Sequence, residues 1–245
     1  MNYGILLAGG SGSRTGLQRP KQIEAAGGFY MITHAAKPLL SHDNIDMVCI
    51  VVVEDWREKI LNDLTKADLP VEKICCFAEP GENRQLSILS GMDAIISQWA
   101  AESAEAEPAE ITPTDEDTVL IHDAARPFLT EQLLSDCYEA LPGYGGVMPA
   151  LPMKDTVYLS REGKTITRLL ERDQLFAGQA PELFRFLSYY RANKALLPNR
   201  IKTINGAAEP AVMFGMEIGM IAGDEKNFKV TTESDMETYL ALMER

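Results

Sequence analysis

The amino-terminal stretch limits the possible folds of this chain more than any other part of it. A short apolar run from Gly4 to Ala8 is followed by glycines at positions 9, 10, 12 and 16. A run of this length fits a buried strand, and glycine adopts unusual backbone dihedrals at low steric cost, so the pattern predicts a strand that ends in a glycine-rich loop. Backbone N–H groups of such a loop can converge on phosphate oxygens. The sequence therefore indicates a phosphate-binding loop after the first strand.

Two basic residues near this loop, Arg14 and Lys21, would place positive charge where a transferring phosphoryl group needs it. The glycine spacing misses the dinucleotide-binding fingerprint by one residue, and the P-loop motif is not present. The same residues also fit a plain turn between a strand and a helix with solvated charges. The glycines alone leave both interpretations open.

The next part of the chain alternates apolar runs with amphipathic segments. Strands are predicted at 46–53, 74–78, 118–121 and 146–150, and helices at 31–40, 54–67, 83–101 and 130–141. Strands that alternate with helices favour a mostly parallel sheet covered by helices on both faces. With 245 residues, 46% of them hydrophobic, the chain can build one large core. We predict an α/β fold, a Rossmann-like three-layer sandwich, as a single domain over residues 1–245.

The pattern changes after Pro152. Residues 155–159 and 164–168 flank Glu162 and Gly163, an arrangement typical of a β-hairpin. A hairpin inserted into a parallel fold projects from it, so we predict that residues 152–172 form a β-arm used for dimerisation. A helix is predicted beyond it at 182–196, a strand at 213–222 and a closing helix at 232–243.

Composition excludes several classes of function. The net charge of −13 argues against a nucleic-acid-binding or anionic-membrane-binding surface, because both use basic patches. No apolar run is long enough to span a membrane and no signal peptide is recognisable, so a cytoplasmic protein is expected. The four cysteines and three histidines lack the spacing of a zinc site or a nucleophilic triad. The acidic stretch 102–117 is predicted to be mostly a solvated loop.

Asp123 and Lys229 are candidate ligand-binding residues. Asp123 follows a predicted buried strand, and ligands of open parallel sheets bind at the carboxyl ends of strands, so Asp123 would lie near Gly10 and Gly12. Asp123 could equally cap the next turn with Arg126 as its partner. Lys229 also fits an ordinary exposed turn lysine. These alternatives remain open on the residues alone.

These motifs resemble those of nucleotidyltransferases that join a sugar or polyol phosphate to a nucleoside triphosphate. The resemblance rests on residues 7–16 with Pro20-Lys21-Gln22, on residues 80–87, on His122 to Pro127, on Lys154-Asp155-Thr156 and on residues 223–231. Within this superfamily the chain is most similar to the cytidylyltransferases that act on 2-C-methyl-D-erythritol 4-phosphate and on ribitol 5-phosphate.

The resemblance implies a role for each matched residue. Arg14, Lys21 and Lys229 would be the catalytic cations, with Mg²⁺ bridging phosphate oxygens. Asp123 would face the substrate hydroxyls and help to hold the metal. Thr156 and Arg172 would reach the substrate phosphate of a partner subunit in a homodimer. The nucleotide would be bound by residues of two loops, namely Ala8, Gly9, Gly10, Gly12, Gly81, Glu82 and Ser87.

The chain departs from the family pattern at three places. Pro80 replaces a glycine, Ala180 and Glu182 stand where the family more often has Thr and Gln, and Asn205-Gly206 stands where methylerythritol enzymes usually show Thr-Asp. We predict a cytidylyltransferase that converts CTP and a polyol phosphate to a CDP-alcohol and pyrophosphate. Methylerythritol phosphate, an isoprenoid precursor, is the favoured substrate. Ribitol 5-phosphate is the alternative, and a non-catalytic nucleotide-binding protein is the alternative of another class.

Overall fold

The computed structural model describes residues 1–10, 20–102 and 113–244, so Gly12 and Arg14 lie outside the described residues. The strands in these ranges are β1 (Asn2–Leu7), β2 (Ala25–Ala26), β3 (Phe29–Tyr30), β4 (Met47–Val51), β5 (Ile74–Ala78), β6 (Thr118–Asp123), β7 (Gly146–Pro152), β8 (Tyr158–Leu159), β9 (Arg168–Leu169), β10 (Phe176–Gly178), β11 (Glu182–Arg185) and β12 (Ile218–Ala222). The helices are α1 (Met31–Ser41), α2 (Glu54–Lys66), α3 (Arg84–Glu102), α4 (Glu131–Ala140), α5 (Phe186–Lys194), α6 (Ala208–Met213) and α7 (Glu233–Met243).

Eight strands form the central sheet, with β1 in its interior. Strand β1 pairs in parallel with β4 and β6, and β5 continues the parallel part beyond β4. On the other side, β11 runs antiparallel between β6 and β7, β10 also pairs antiparallel with β7, and β12 pairs with β7 in parallel. The predicted mostly parallel α/β sheet is confirmed. Since β1, β4 and β6 are parallel, their carboxyl ends share one edge of the sheet.

The two faces of the sheet belong to two hydrophobic clusters. Leu6 packs in a cluster with residues of α1, α2 and α4, whereas its neighbour Ile5 packs in a second cluster with residues of α3, α5 and α6. Successive residues of a strand point to opposite faces, so a strand covered on both sides reads as an unbroken apolar run. This is why β1, β4 and β6 were predictable as buried strands.

Two secondary-structure predictions are wrong. Residues 182–185, predicted to begin a helix, form β11, where Leu183 and Phe184 are buried on opposite faces of the sheet. A pair of apolar residues is too short for its periodicity to separate a buried strand from a helix. Residues 213–217, predicted to be in a strand, are not in one: Met213 is the last residue of α6, residues 214–217 follow it, and Gly215 adopts a φ of +76° there. Strand β12 begins only at Ile218.

The predicted hairpin is present but shorter than expected. Strands β8 and β9 pair antiparallel, apart from the central sheet, and the turn contains Gly163 with a φ of +70°. Large apolar side chains are exposed on and beside this arm, with Ile166 exposed to 67%. The others are Tyr158, Leu159, Leu169 and Phe176. A single chain therefore leaves a group of large apolar side chains exposed to solvent on this arm.

Part of the acidic stretch is bound to the rest of the fold. The Asp117 carboxylate accepts hydrogen bonds from the amino-terminal ammonium and from the Thr114 backbone N–H, and the Asp115 carboxylate accepts from Ser188. These two carboxylates are thus bound to the rest of the fold, although Asp115 remains exposed, while residues 103–112 lie outside the described residues. Within the described ranges, no helix has the length and apolarity needed to cross a bilayer.

Helix α7 begins with a capping box. The Thr232 hydroxyl accepts a hydrogen bond from the Asp235 backbone N–H at 3.1 Å, and the Asp235 carboxylate accepts from the backbone N–H groups of Thr231 and Thr232, both at 2.8 Å. Burial alone would raise the pKa of Asp235, but these hydrogen bonds lower it to about 2. The ionised carboxylate is thus favoured by folding.

Replacing Asp235 with alanine should lower the free energy of unfolding by about 1 kcal/mol at neutral pH, because a capping interaction is lost. The folded pKa lies below the unfolded one, so this contribution is present above the unfolded pKa of about 4 and disappears as the pH falls through about 2. Urea unfolding of both proteins should show a difference that shrinks in acid. A difference independent of pH would contradict the assignment, and Glu237→Ala on the same helix is the control.

Candidate active site

A cavity of about 450 Å³ lies at the carboxyl ends of β1 and β6. Its lining comes from segments that are remote in sequence, and most of the predicted site residues that the structure describes take part in it. The lining residues are Leu7, Ala8, Gly9, Gly10, Lys21, Gln22, Gly81, Glu82, Asn83, Arg84, Ser87, Asp123, Ala124, Ala125, Lys229 and Thr231. The cavity therefore has the position at which open parallel sheets bind their ligands.

The loop after β1 is fixed by the side chain of Gln22. Its amide group donates hydrogen bonds to the carbonyl oxygens of Ala8 and Gly10, the latter at 3.0 Å. Next to it, the Lys21 ammonium donates to the carbonyl oxygen of Val230, the residue that follows Lys229. Gln22 belongs to a sequence motif, but no role was predicted for it from the sequence. Both side chains tie the glycine loop to the rest of the cavity wall.

The loop after β5 is built around Asn83 and Gly81. The Asn83 side chain caps α3 by accepting a hydrogen bond from the Leu86 backbone N–H at 2.8 Å, which confirms the predicted helix start. The Gly81 backbone N–H donates to the Ser87 hydroxyl at 3.0 Å. A β-carbon at Gly81 would lie 2.4 Å from that of Leu86, so this approach requires glycine. Ser87 here fixes the shape of the loop.

The proline that departs from the family pattern packs on the first glycine loop. A β-carbon added at Gly9 would lie 2.3 Å from the β-carbon of Pro80, whereas one added at Gly10 would meet no atom of the described residues within 4 Å. Pro80 therefore fills space that exists only because residue 9 has no side chain. The two loops that line the cavity are in direct contact here.

This contact gives a matched pair of variants. Gly9→Ala should destabilise the fold by about 1–3 kcal/mol, because the methyl group overlaps Pro80. Gly10→Ala should leave the thermal unfolding temperature unchanged but weaken binding of CTP, the nucleotide that the sequence resemblance implies, about tenfold, since its methyl group would occupy the space needed by a phosphate held on the loop. Thermal unfolding and CTP titration test both variants. Unimpaired CTP binding by Gly10→Ala would exclude a phosphate contact at this residue.

Asp123 lies between two cationic side chains. Arg84 Nε donates to its Oδ1 at 3.0 Å, and Lys229 Nζ donates to its Oδ2 at 2.8 Å. Burial would raise the pKa of Asp123, but Arg84 and Lys229 together hold it well below its usual range. The carboxylate is therefore ionised. Arg126 is not its ion-pair partner, because the Arg126 guanidinium donates to the backbone oxygen of Asn227 at 2.6 Å.

Arg84 is the residue that sequence reasoning missed. Besides Asp123, its guanidinium binds Glu182, with an NH2-to-Oε2 distance of 2.8 Å. Arg84 and Glu182 are 98 positions apart, so no local pattern could connect them. The available signals were the place of Arg84 at the start of α3 and the family departure at Glu182. Arg84 thus joins α3, β6 and β11 behind the cavity.

A buried network positions the segment that contains Lys229. The Gln179 side chain bonds both the backbone N–H and the backbone oxygen of Asp224, each at 3.0 Å. Asn227 is fully buried and donates to the backbone oxygen of Ala180 at 2.7 Å. Lys229 lies two residues beyond the anchored Asn227, so its backbone position is fixed. This favours a role in ligand binding over that of an ordinary exposed turn lysine.

Three predicted residues have other surroundings. Thr156 and Arg172 lie on the exposed arm and do not line the cavity as the described residues define it; Arg172 donates to the backbone oxygen of Lys154 at 3.1 Å. Glu82 lines the cavity, but its exposed carboxylate bonds Lys202 at 2.7 Å. The described structure therefore does not bring Thr156 and Arg172 to the cavity of their own chain.

The cavity contains few groups that could hold a metal. Its acidic lining residues, among those described, are Glu82 and Asp123, and the described part of the chain has no group of three or more metal-binding side chains. Mg²⁺ is commonly held by one or two carboxylates together with substrate phosphates. The ionised Asp123 fits this requirement for a Mg²⁺ ion that enters with a triphosphate.

Comparison with known proteins agrees with this geometry. The family model described as IspD, 2-C-methyl-D-erythritol 4-phosphate cytidylyltransferase, matches residues 3–245. A ribitol-5-phosphate cytidylyltransferase of Streptococcus agalactiae serotype V is 28% identical, covering 99% of this chain and 95% of that protein. A bifunctional enzyme IspD/IspF of Granulibacter bethesdensis is 32% identical over 95% of this chain, which spans 54% of that longer protein.

The fold also matches a solved structure. The crystal structure of 4-diphosphocytidyl-2C-methyl-D-erythritol synthase from Anaerococcus prevotii superposes with a TM-score of 0.77 at 23% identity, covering 100% of this chain and 96% of that one. At this identity the likeness shows the fold alone. The family match over almost the whole chain shows more: the chain belongs to the IspD family, and the protein is a nucleotidyltransferase of the cytidylyltransferase type.

Proposed function

We propose that the protein transfers the cytidylyl group of CTP to a polyol phosphate, with 2-C-methyl-D-erythritol 4-phosphate as its preferred substrate. The observation that supports this most is that Lys21, Lys229 and the glycine loop line one cavity around the ionised Asp123. A phosphate-binding loop with two lysines suits a reaction at phosphorus, whereas a simple binding module has no need of this convergence.

In the proposed reaction, an oxygen of the polyol phosphate attacks the α-phosphorus of CTP. A new P–O bond forms, the bond from the α-phosphorus to the bridging oxygen of the β-phosphate breaks, and pyrophosphate leaves with that oxygen. The nucleophile is already an anion, so positioning and charge neutralisation matter more than a general base. Lys21 and Lys229 would stabilise the negative charge at the phosphorus, as would Arg14. Mg²⁺, when bound, would supply further neutralisation.

The two loops would share the nucleotide. Residues 8–10 would hold the phosphates through backbone N–H groups, while Gly81, Glu82 and Ser87 would contact the base and the ribose. Asp123 would accept hydrogen bonds from substrate hydroxyls, because it is ionised and its carboxylate oxygens can each accept more than one hydrogen bond. Asp123 would also be the protein ligand of Mg²⁺.

Ribitol 5-phosphate is the second candidate substrate. A ribitol-5-phosphate cytidylyltransferase matches nearly the whole chain, and Asn205-Gly206 stands where methylerythritol enzymes usually show Thr-Asp. The Asn205 backbone N–H donates to Glu209 at 2.9 Å, and its side chain donates to the Thr203 backbone oxygen at 3.3 Å. Asn205 therefore forms its hydrogen bonds within its own segment. The contact to methylerythritol phosphate that the family makes at this position would be altered in this chain.

The test is pyrophosphate release from CTP and Mg²⁺ with each polyol phosphate in turn, with ATP, GTP and UTP as controls. We expect release with CTP and methylerythritol phosphate. Release with ribitol 5-phosphate alone would assign the second candidate. Tight CTP binding without release from either substrate would contradict the proposal and favour the non-catalytic alternative.

We further propose that the arm mediates a homodimer and that Thr156 and Arg172 complete the partner's site. The exposed apolar side chains of the arm support a partner surface. Arg172→Ala should raise the KM for the polyol phosphate about tenfold or more, with a smaller effect on the KM for CTP, because a charged hydrogen bond to phosphate is lost. Arg161→Ala, at the tip of the arm, is the control. An unchanged KM, or a monomer by light scattering, would contradict this proposal.

A further inference from the structure

Four charged side chains form a continuous chain that begins behind the cavity wall and ends in it. Glu182 accepts a hydrogen bond from Arg84 at 2.8 Å, Arg84 donates to Asp123 at 3.0 Å, and Lys229 donates to the other oxygen of Asp123 at 2.8 Å. Two cations thus alternate with two anions. Such a chain is expected where charges are buried, since an unbalanced charge in a protein interior is costly.

Glu182 stands one layer behind the residues that line the cavity. It is 7% exposed and does not line the cavity as the described residues define it, whereas its partner Arg84 does. In the pairing of β11 with β6, Glu182 lies opposite Ile121, two residues before Asp123. Arg126 is a further cation whose charge acts on Glu182. Glu182 can therefore act on a ligand through Arg84 and through its own charge, without touching that ligand.

We propose that Glu182 is a positioning residue that balances the charge of Arg84, so that the cavity favours CTP as its Mg²⁺ complex over metal-free CTP. This inference rests on the proposed function. With Glu182 ionised, the four groups of the chain sum to zero charge, and a neutral residue at 182 would leave an excess of one positive charge. A cavity with added positive charge favours the more anionic form of the nucleotide, which is the form without Mg²⁺.

The same contact keeps Asp123 available to a cation. Arg84 uses Nε for Asp123 and a terminal nitrogen for Glu182, so its guanidinium binds only one oxygen of Asp123. An Arg84 released from Glu182 could bind both oxygens of Asp123 in the bidentate geometry that guanidinium and carboxylate favour. Both the charge and the geometry supplied by Glu182 therefore support metal binding at Asp123.

The ionisation of Glu182 sets the conditions for the test. Burial raises the pKa of Glu182, and the neighbouring Arg84 opposes that rise. Binding should accordingly be measured at mildly alkaline pH, which favours the ionised form of this carboxyl. The nearly isosteric Glu182→Gln keeps a hydrogen-bond acceptor for Arg84 and removes only the charge.

The experiment is calorimetric titration of CTP into the wild-type protein and Glu182→Gln, once in EDTA and once in excess Mg²⁺. We expect the variant to bind metal-free CTP about tenfold more tightly than the wild type does, with little change for the Mg²⁺ complex. Glu182→Asp, which keeps the charge, should retain the wild-type ratio of the two dissociation constants. Glu217→Gln, which makes the same charge change at the opposite edge of the sheet, is the control.

Each other outcome overturns the inference. An unchanged ratio in Glu182→Gln would mean that the charge of Glu182 does not act on the nucleotide. Weaker binding of both forms would mean that Glu182 serves only the position of Arg84. If the wild-type protein binds no CTP in either condition, the proposed function fails as well, which distinguishes that failure from failure of this inference alone.

Discussion

Replacing Lys229 with methionine should lower kcat by about 10²- to 10³-fold, the size of effect seen when one preorganised donor to a developing charge is removed. The Lys229 ammonium lies 2.8 Å from Asp123 and lines the cavity, and its segment is anchored by the buried Asn227. Methionine keeps much of the length of the side chain and removes its charge. The loss should appear in kcat more than in the KM for CTP, because charge at the phosphorus grows only toward the transition state.

Lys226 provides a matched control for this variant. It is an exposed lysine in the same segment, and it does not line the cavity as the described residues define it. Lys226→Met should therefore keep near wild-type turnover. Lys229→Met also removes a hydrogen bond to a charged group, which should cost about 1.5–3 kcal/mol of stability, so thermal unfolding must show that the variant is folded during the assay. A folded Lys229→Met with wild-type kcat would remove this residue from the mechanism.

Replacing Lys21 with alanine should have an effect of similar size, about 10²-fold or more on kcat, without loss of the fold. Lys21 lines the cavity on the side of the first glycine loop, and its ammonium is bonded to the backbone oxygen of Val230. Val230 follows Lys229 directly, so both lysines belong to the same part of the cavity wall. The exposed Lys37 on α1 is the control, and Arg14→Ala is expected to behave like Lys21→Ala.

Steady-state kinetics over a range of both substrates separates the possibilities for Lys21. A large fall in kcat with a modest change in the KM for CTP would support a role at the reacting phosphorus. A change confined to the KM for CTP would reduce Lys21 to a binding residue. Near-normal kinetics in a folded variant would exclude it from both roles.

Most of the fold could be predicted because its strands are buried on both faces and its helices are long. β1, β4 and β6 read as apolar runs, and α2 and α3 were predicted to within two residues of their ends. The capping residues Asn83 and Thr130 were also identified, and both side chains accept the expected backbone hydrogen bonds. The short β11 was missed because its two apolar residues are too few to distinguish the periodicity of a strand from that of a helix.

The site could be predicted in part, for a related reason. Strand ends and glycines are visible in sequence, so Asp123 was predicted to lie near Gly10, and the structure brings both to one cavity. Gly9 of the same loop lines this cavity too, as does Gly81, which only the family resemblance had indicated. Contacts between segments that are far apart along the chain cannot be predicted from the local sequence pattern. The bond from Arg84 to Glu182 and the anchoring of Asn227 to Ala180 arise only when β6, β11 and α3 have packed together.

The most direct test of the account is to follow the α-phosphorus of CTP, using CTP labelled at that atom together with the polyol phosphate and Mg²⁺. If the substrate phosphate attacks there, the label should appear in a CDP-alcohol and the released pyrophosphate should be unlabelled. Label that remains in CDP, with the γ-phosphoryl group transferred to the polyol phosphate, would show attack at the γ-phosphorus. That result would contradict the proposed roles of Lys21 and Lys229 in cytidylyl transfer.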